Sequence, residues 1–381
     1  MRLMSWNINR FTNGTLHRGP NNLNMWYVTD TINRAEPDIF VLIEVQSGKS
    51  TMGSLITVGG KDGVFELLTI LRNFNVPNQI DWMLVPPLKL VDSTIDQQYT
   101  EGIAVFYNNA TLDFQGPYYW DNNKQIGVSV QTNTPYPGAW ATMLPQGNNR
   151  AGKYKFADSD SQTLGFPAQA NRPPFYTLFH ERGGLQRNIK LFSVHFPPHR
   201  APAAEAMFKL STVAELGQLG ANDVFVAAGD FNFDPRPQPK DTTTTSQYYG
   251  YAVNGLFGDQ TYRLGQPFFV QGTRVQDTDD SSPFNYLLDE CLDNIFARYG
   301  SLGIIPPNHN AAVINPVAGT PAPYITETEM QYSIGEILTM QTPIPTLDAL
   351  YQVIAFRSPE NYGHIARYQG VSDHLPVIAE I

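Results

Sequence analysis

Phe225-Val226-Ala227-Ala228-Gly229-Asp230-Phe231-Asn232 is an apolar run that stops on Gly-Asp-x-Asn. Such a run reads as a buried strand that delivers a carboxylate and an amide to its tip, where a rigid element can hold both in fixed geometry. Asp230 and Asn232 lie two residues apart, so an extended chain puts them on one face. Alone, Gly-Asp marks no more than a turn after a strand. The stretch gains meaning from the other strand ends of this chain.

Those ends repeat the pattern. Asn7 follows Leu3-Met4-Ser5-Trp6, Glu44 follows Val41-Leu42-Ile43, and His195 follows Leu191-Phe192-Ser193-Val194. Asp293 precedes Ile295-Phe296, and Asp373-His374 precedes Leu375-Pro376-Val377-Ile378. One polar residue at one strand end is an ordinary loop group. Six of a kind, drawn from Asn, Glu, Asp and His, form the set that a hard divalent cation and a phosphate ester require. Oxygen ligands suit Mg²⁺ or Mn²⁺, and a single cysteine, Cys291, argues against a structural zinc site.

Helical periodicity appears at 22–36, 62–74 and 203–219, the last with Met207, Leu210, Val213, Ala214 and Leu216 as its buried stripe. Further strands are expected at 82–85, 103–107, 175–179 and 189–194. Buried strands mixed with a few amphipathic helices give an α/β or α+β sandwich. The segments 115–171, 235–282 and 306–345 are rich in Gly, Pro, Asn and Thr and read as loop insertions. With no internal repeat and no evident boundary, residues 1–381 are expected to form one elaborated domain.

Charged residues are 16% of the 381, well under the roughly 25% usual in soluble proteins, and 30 Gly with 29 Pro favour strands and long loops. The formal net charge of −10 opposes a generally basic, nucleic-acid-coating surface. It leaves room for a phosphodiester substrate, since carboxylates awaiting a cation count as negative. One cysteine excludes an intrachain disulfide. The N-terminus lacks a signal h-region and no run approaches ~18 apolar residues, so the default is a cytoplasmic protein or one exported without a signal peptide.

The ordered anchors Ser5-Trp6-Asn7, Leu42-Ile43-Glu44, Ser193-Val194-His195, Gly229-Asp230-Phe231-Asn232, Asp293-Asn294-Ile295-Phe296 and Ser372-Asp373-His374 resemble the signature of the endonuclease/exonuclease/phosphatase superfamily of metal-dependent phosphoesterases. The nearest look is to the pancreatic-type deoxyribonucleases, through Tyr99-Thr100-Glu101 before an apolar strand, a loose Arg172-Pro173 match, and His at 195. The resemblance implies a four-layer α/β sandwich of two packed mixed β-sheets, deoxyribonuclease I-like, and does not cover the three insertions.

It also implies two His–carboxylate pairs, Glu101 with His195 and Asp293 with His374. His374 is then the general base and His195 the general acid or a phosphate ligand, with those roles open to exchange. Glu44 is the leading metal ligand, with Asn7 and Asp373 as further ligands or partners. Asp230 orients water or holds a second cation, and Asn232 and Arg172 donate to non-bridging oxygens. The cofactor implied is Mg²⁺, or Mn²⁺, with Ca²⁺ as an optional second ion. The leading reading is a monomeric, metal-dependent endonuclease on DNA. A phosphoesterase acting on a phospholipid head group or small phosphoester, and a catalytically silent binding module, are the competing readings.

Overall fold

The structure, a computed structural model, describes residues 1–17, 23–47, 56, 60–74, 80–89, 101–121, 126–129, 172, 174–198, 203, 206–207, 210, 219–232, 275–276, 287–288, 292–301, 311–313, 372 and 374–381. In chain order the elements are β1 (Arg2–Phe11), α1 (Asn13–Leu16), α2 (Leu23–Ala35), β2 (Ile39–Gln46), α3 (Gly60–Phe74), β3 (Trp82–Lys89), β4 (Glu101–Asn108), β5 (Leu112–Asp121), β6 (Ile126–Ser129), β7 (Phe175–Glu181), β8 (Asn188–His195), β9 (Asp223–Asp230), β10 (Val275–Gln276), β11 (Leu287–Leu288), β12 (Asp293–Tyr299), β13 (Ala311–Val313) and β14 (Val377–Glu380).

Two mixed six-stranded sheets result, ordered β13-β14-β1-β2-β4-β3 and β12-β9-β8-β7-β5-β6, with β10-β11 as a separate pair. Pairing is parallel for β1 with β2 and for β8 with β9. Parallel neighbours need a crossover connection. The first crossover carries α1 and α2. The second contains helical, buried Ala203, Ala206, Met207 and Leu210, spaced as one face of the helix expected at 203–219. The rest of that helix lies outside the described residues.

Alternation along the strands sorts the core into layers. Leu3, Ile39, Val41, Ile43, Val105 and Tyr107 of the first sheet pack against Phe175, Phe179, Ile189, Leu191, Val224, Val226, Ile295 and Ala297 of the second. The opposite face of the first sheet presents Met4, Trp6, Phe40, Leu42 and Phe106 to Val28 and Ile32 of α2 and Val64, Leu67, Leu68 and Leu71 of α3. On the second sheet's outer face, Phe192 stacks on Tyr176 and on Phe225. These layers form the four-layer α/β sandwich, deoxyribonuclease I-like, with two mixed sheets at its centre.

Three expectations need correction. The segment 115–171 is not loop throughout: β5 runs to Asp121 and pairs with β6, which closes the second sheet's edge. Within 306–345, Ala311–Val313 pairs with β14 as the other sheet's edge. Within 235–282, Val275–Gln276 is a short strand. The remainder of all three segments lies outside the described residues. β3 also continues beyond 85 through Pro86 and Pro87, which it tolerates as an edge strand with a register shift between Val85 and Leu88.

Candidate active site

One end of the sandwich collects the polar residues. The C-terminal ends of β1, β2, β8 and β9 meet the N-terminal ends of β4, β12 and β14 there. Asn7 keeps the alternation of Leu3, Glu101 that of Ile103, His195 that of Leu191, Asp230 that of Ala228, and Asp293 that of Ile295, so each side chain enters the gap between the sheets. Register places Asp293 directly opposite Asp230 and His195 beside Asp230.

Glu44 arrives by another route. Unbroken alternation would send it to the helix side with Phe40 and Leu42. Instead the register shifts between Leu42 and Val45, and Glu44 adopts φ 64°. A bulge of this kind re-aims a side chain. β1 is shifted in step between Asn7 and Phe11, with Arg10 at φ 51°. The two irregularities are tied together, since Arg10 N donates to Glu44 Oε2 at 3.0 Å.

Asp230 stands at the centre. Its Oδ2 accepts from Asn7 Nδ2 at 3.0 Å and lies 3.5 Å from His195 Nε2 and 3.9 Å from His374 Nε2. Each imidazole has its own carboxylate behind it: Asp293 Oδ2 is 2.7 Å from His374 Nδ1, and Glu101 Oε1 is 2.7 Å from His195 Nδ1. The second contact is as short but lies off the line of a hydrogen bond. Arg172 Nη1 contacts His195 Nε2 at 2.8 Å, and its Nε lies 3.4 Å from Glu101 Oε1. Both pairs straddle the two sheets.

Burial lifts Glu44 above the ordinary Glu range, and the charge of Glu101 adds to this against the pull of His195. Burial acts in the same sense on Glu101, but the charges of His195 and Arg172 outweigh it and hold the carboxyl at about 2. Burial and Arg172 depress His195, yet Glu101 and Asp230 prevail and raise it. Asp230 is raised, first by burial and then by Asp293, against the two histidines.

Asp230 and Asn232 do not share a face by strand alternation, contrary to expectation. The strand ends at Asp230, and Asn232 takes φ 47° so that its N–H donates to Asp230 Oδ1 at 2.8 Å. This is an Asx-type turn. Asn232 Nδ2 and Arg172 Nη1 both donate to the Phe196 carbonyl, at 2.8 and 3.1 Å, which anchors the two donors beside the site. Asp373 lies outside the described residues.

Three positioning groups went unassigned in the sequence, although all three sit inside the quoted anchors. Ser372 Oγ donates to Asn7 O at 2.5 Å and accepts from His374 N at 3.0 Å. Trp6 Nε1 donates to His374 O at 2.9 Å. Gly229, at φ 145°, brings its backbone so near β8 that a Cβ would lie 2.0 Å from Val194 O.

The donor set fits a hard divalent cation. Glu44, Glu101, Asp230 and Asp293 set four carboxyl groups around the two imidazoles, beside a single guanidinium, Arg172. The sets Glu44-Glu101-His195 and Asp230-Asp293-His374 each bring their ligand atoms within 4.8 Å of one another. Asn7 Oδ1 is buried beside Glu44 and accepts no hydrogen bond, a lone pair left for an external partner. Among the described residues no helix is long and apolar enough to cross a membrane.

The model of a family described as Endonuclease/Exonuclease/phosphatase matches residues 4–310. No curated protein sequence matches the chain. Similar solved structures include TDP2 of D. rerio complexed with single strand DNA product (10% identity, 100% of this chain and 97% of that one, TM-score 0.47). A functionally unknown conserved protein of Enterococcus faecalis is similar at 13% identity, with 100% and 98% covered and a TM-score of 0.46. A mannosyl-6-phosphatase of Bacteroides thetaiotaomicron gives 12% identity, 100% and 98% covered, and a TM-score of 0.44. Likenesses at these scores say nothing about substrate.

Proposed function

The chain belongs to the endonuclease/exonuclease/phosphatase family, whose members are in general hydrolases of phosphoester bonds, and from that premise we propose that it is a divalent-cation-dependent phosphodiesterase, an endonuclease on DNA. The observation that carries the proposal is the placement of two His–carboxylate pairs on either side of Asp230. We take residues 1–381 as one domain, since the family match at 4–310 includes strands of both sheets and β14, beyond it, pairs with β1.

Glu44 and Asn7, joined by Asp373, would hold the cation, which when bound neutralises charge on the phosphate and on the departing oxygen. Mg²⁺ or Mn²⁺ suits this oxygen set, with Ca²⁺ as an optional second ion. Asp293 fixes Nδ1 of His374 and raises the basicity of Nε2. Nε2 takes the proton of the attacking water, which Asp230 orients. The water oxygen bonds to phosphorus in line as the P–O bond on the opposite side breaks. His195, backed by Glu101, gives a proton to the departing oxygen; the reverse assignment of the two histidines satisfies the same geometry. Arg172 and Asn232, anchored on Phe196 O, donate to the non-bridging oxygens.

Nicking of supercoiled plasmid, with Mg²⁺ and with EDTA, tests the reading. Cation-dependent nicking abolished in His374→Ala supports it; no nicking by the folded, cation-loaded protein refutes it. The net charge of −10 supports a second reading, a phosphoester without a polyanionic backbone. Hydrolysis of sphingomyelin or a phosphoinositide in parallel, with DNA untouched, favours that one.

A further inference from the structure

We infer that Gly60 and Gly63 of α3 are positioning residues that hold the two linked bulges aiming Glu44, a role that rests on the reading of Glu44 as a cation ligand. Both glycines are buried, one helical turn apart. Each presses on the chain just beyond one bulge. A Cβ on Gly60 would lie 2.3 Å from Val45 Cγ1, 2.8 Å from Gln46 O and 3.0 Å from Gln46 N. A Cβ on Gly63 would lie 2.6 Å from Thr12 C, 2.6 Å from Asn13 N and 3.0 Å from Phe11 Cε1.

The helix does not need Gly63, which weakens it relative to Ala, nor Gly60, its first residue, where glycine is tolerated but not required. Nor does either glycine occupy a left-handed conformation. What remains is close approach: without side chains, α3 sits directly against Val45-Gln46 and against Phe11-Thr12-Asn13. Glu44 precedes the first contact and Arg10 the second, and both hold positive φ, a strained conformation that persists only where neighbours enforce it. The Arg10 N to Glu44 Oε2 bond, at 3.0 Å, closes the arrangement into one unit. A methyl at either glycine pushes the helix off that unit or the unit off its geometry, and Glu44 Oε1 then leaves its place 3.1 Å from Asn7 Nδ2.

The test compares Gly60→Ala and Gly63→Ala with Leu71→Ala, which cuts a buried side chain on the same helix away from the bulges. Mn²⁺ affinity is titrated well below every melting temperature. The glycine variants are expected to bind Mn²⁺ roughly 10-fold or more weakly, while Leu71→Ala, at a similar or larger loss of melting temperature, stays within about twofold. Unchanged affinity in both glycine variants, or equal weakening in Leu71→Ala, overturns the inference. Crystal structures of the metal-free variants give an independent readout. Loss of the Arg10 N–Glu44 Oε2 contact is expected, and its retention in both overturns the clamp. If the parent protein takes up no Mn²⁺ but that contact is lost in the variants, the clamp stands and the cation reading falls. Should Gly63→Ala fail to fold, Gly60→Ala alone carries the same two measurements; adding Val45→Ala, which removes the shortest clash, is expected to recover part of the lost Mn²⁺ affinity, and no recovery overturns the inference.

Discussion

Arg172 Nη1 meets His195 Nε2 at 2.8 Å, and a guanidinium has only donors, so this imidazole nitrogen is the acceptor. The proton of the neutral ring then sits on Nδ1, toward Glu101. Protonation of Nε2 and the Arg172 contact exclude each other. A bound phosphate that draws Arg172 onto its own oxygens therefore also opens Nε2 to a proton.

The charge of Arg172 depresses His195, so removing it moves the histidine upward. In Arg172→Gln the imidazole is expected to titrate at higher pH than in the parent, as followed by NMR of its ring protons. Turnover falls at the same time, by roughly 10–1000-fold, because the oxyanion donor is gone. An unmoved or lowered titration would show that Arg172 does not act on His195 through charge.

His374→Ala, Asp293→Asn and His195→Ala are each expected to lower phosphodiester turnover by more than ~100-fold. Circular dichroism should be unchanged. For Asp293→Asn the loss comes from the imidazole behind which the charge sits, so the acid limb of the pH–rate profile should shift as well. Parent-level turnover in any folded variant contradicts its role.

Gly229→Ala should destabilise the fold. The left-handed conformation alone costs about 1–3 kcal/mol for a residue with a side chain. The methyl also meets a backbone carbonyl, Val194 O, that is fixed by parallel pairing with β9. A fall in the urea midpoint with an unchanged slope is the expected measurement.

The far end of the sandwich governs acid sensitivity through Glu181. Arg187 grips that carboxylate with two nitrogens, Nε at 2.8 Å and Nη2 at 2.5 Å. Burial pushes Glu181 up, but the Arg187 bonds and charge outweigh it and hold it below the ordinary Glu range. A depressed carboxylate contributes stability that is complete above the unfolded value, about 4.3, and is lost as pH falls through the folded one. Glu181→Gln should thus be less stable than the parent at pH 7, and the difference should shrink in acid. A constant gap between the two urea curves across that range would refute it.

Most of the fold and most of the site were legible in the chain, for a physical reason. Buried strands such as Ile39–Ile43 and Phe225–Ala228 are continuous apolar runs, and a polar residue at the end of such a run stands out. The departures are where backbone geometry overrides alternation. Nothing in Ile43-Glu44-Val45 announces that Glu44 sits at φ 64° on a bulge, and Phe231 gives no warning that Asn232 leaves the strand. At the sheet edges the pattern misses Ala311–Val313, which is short, and stops β3 at Val85, before Pro86-Pro87. The roles of Ser372 and Trp6 depend on contacts more than 360 positions along the chain, which local pattern does not encode.

Each His–carboxylate couple takes its imidazole from one side and its acid from the other: His195 and Asp293 belong to the second sheet, Glu101 to the first, and His374 leads into that first sheet's β14. The spacing between layers is thereby written into the reactive centre. Volume changes among Val41, Leu191 and Val226, far below the mouth, alter how the two halves face each other before they alter whether the chain folds. Turnover becomes a strain gauge for the packing between the sheets, and heat should extinguish the chemistry ahead of the structure.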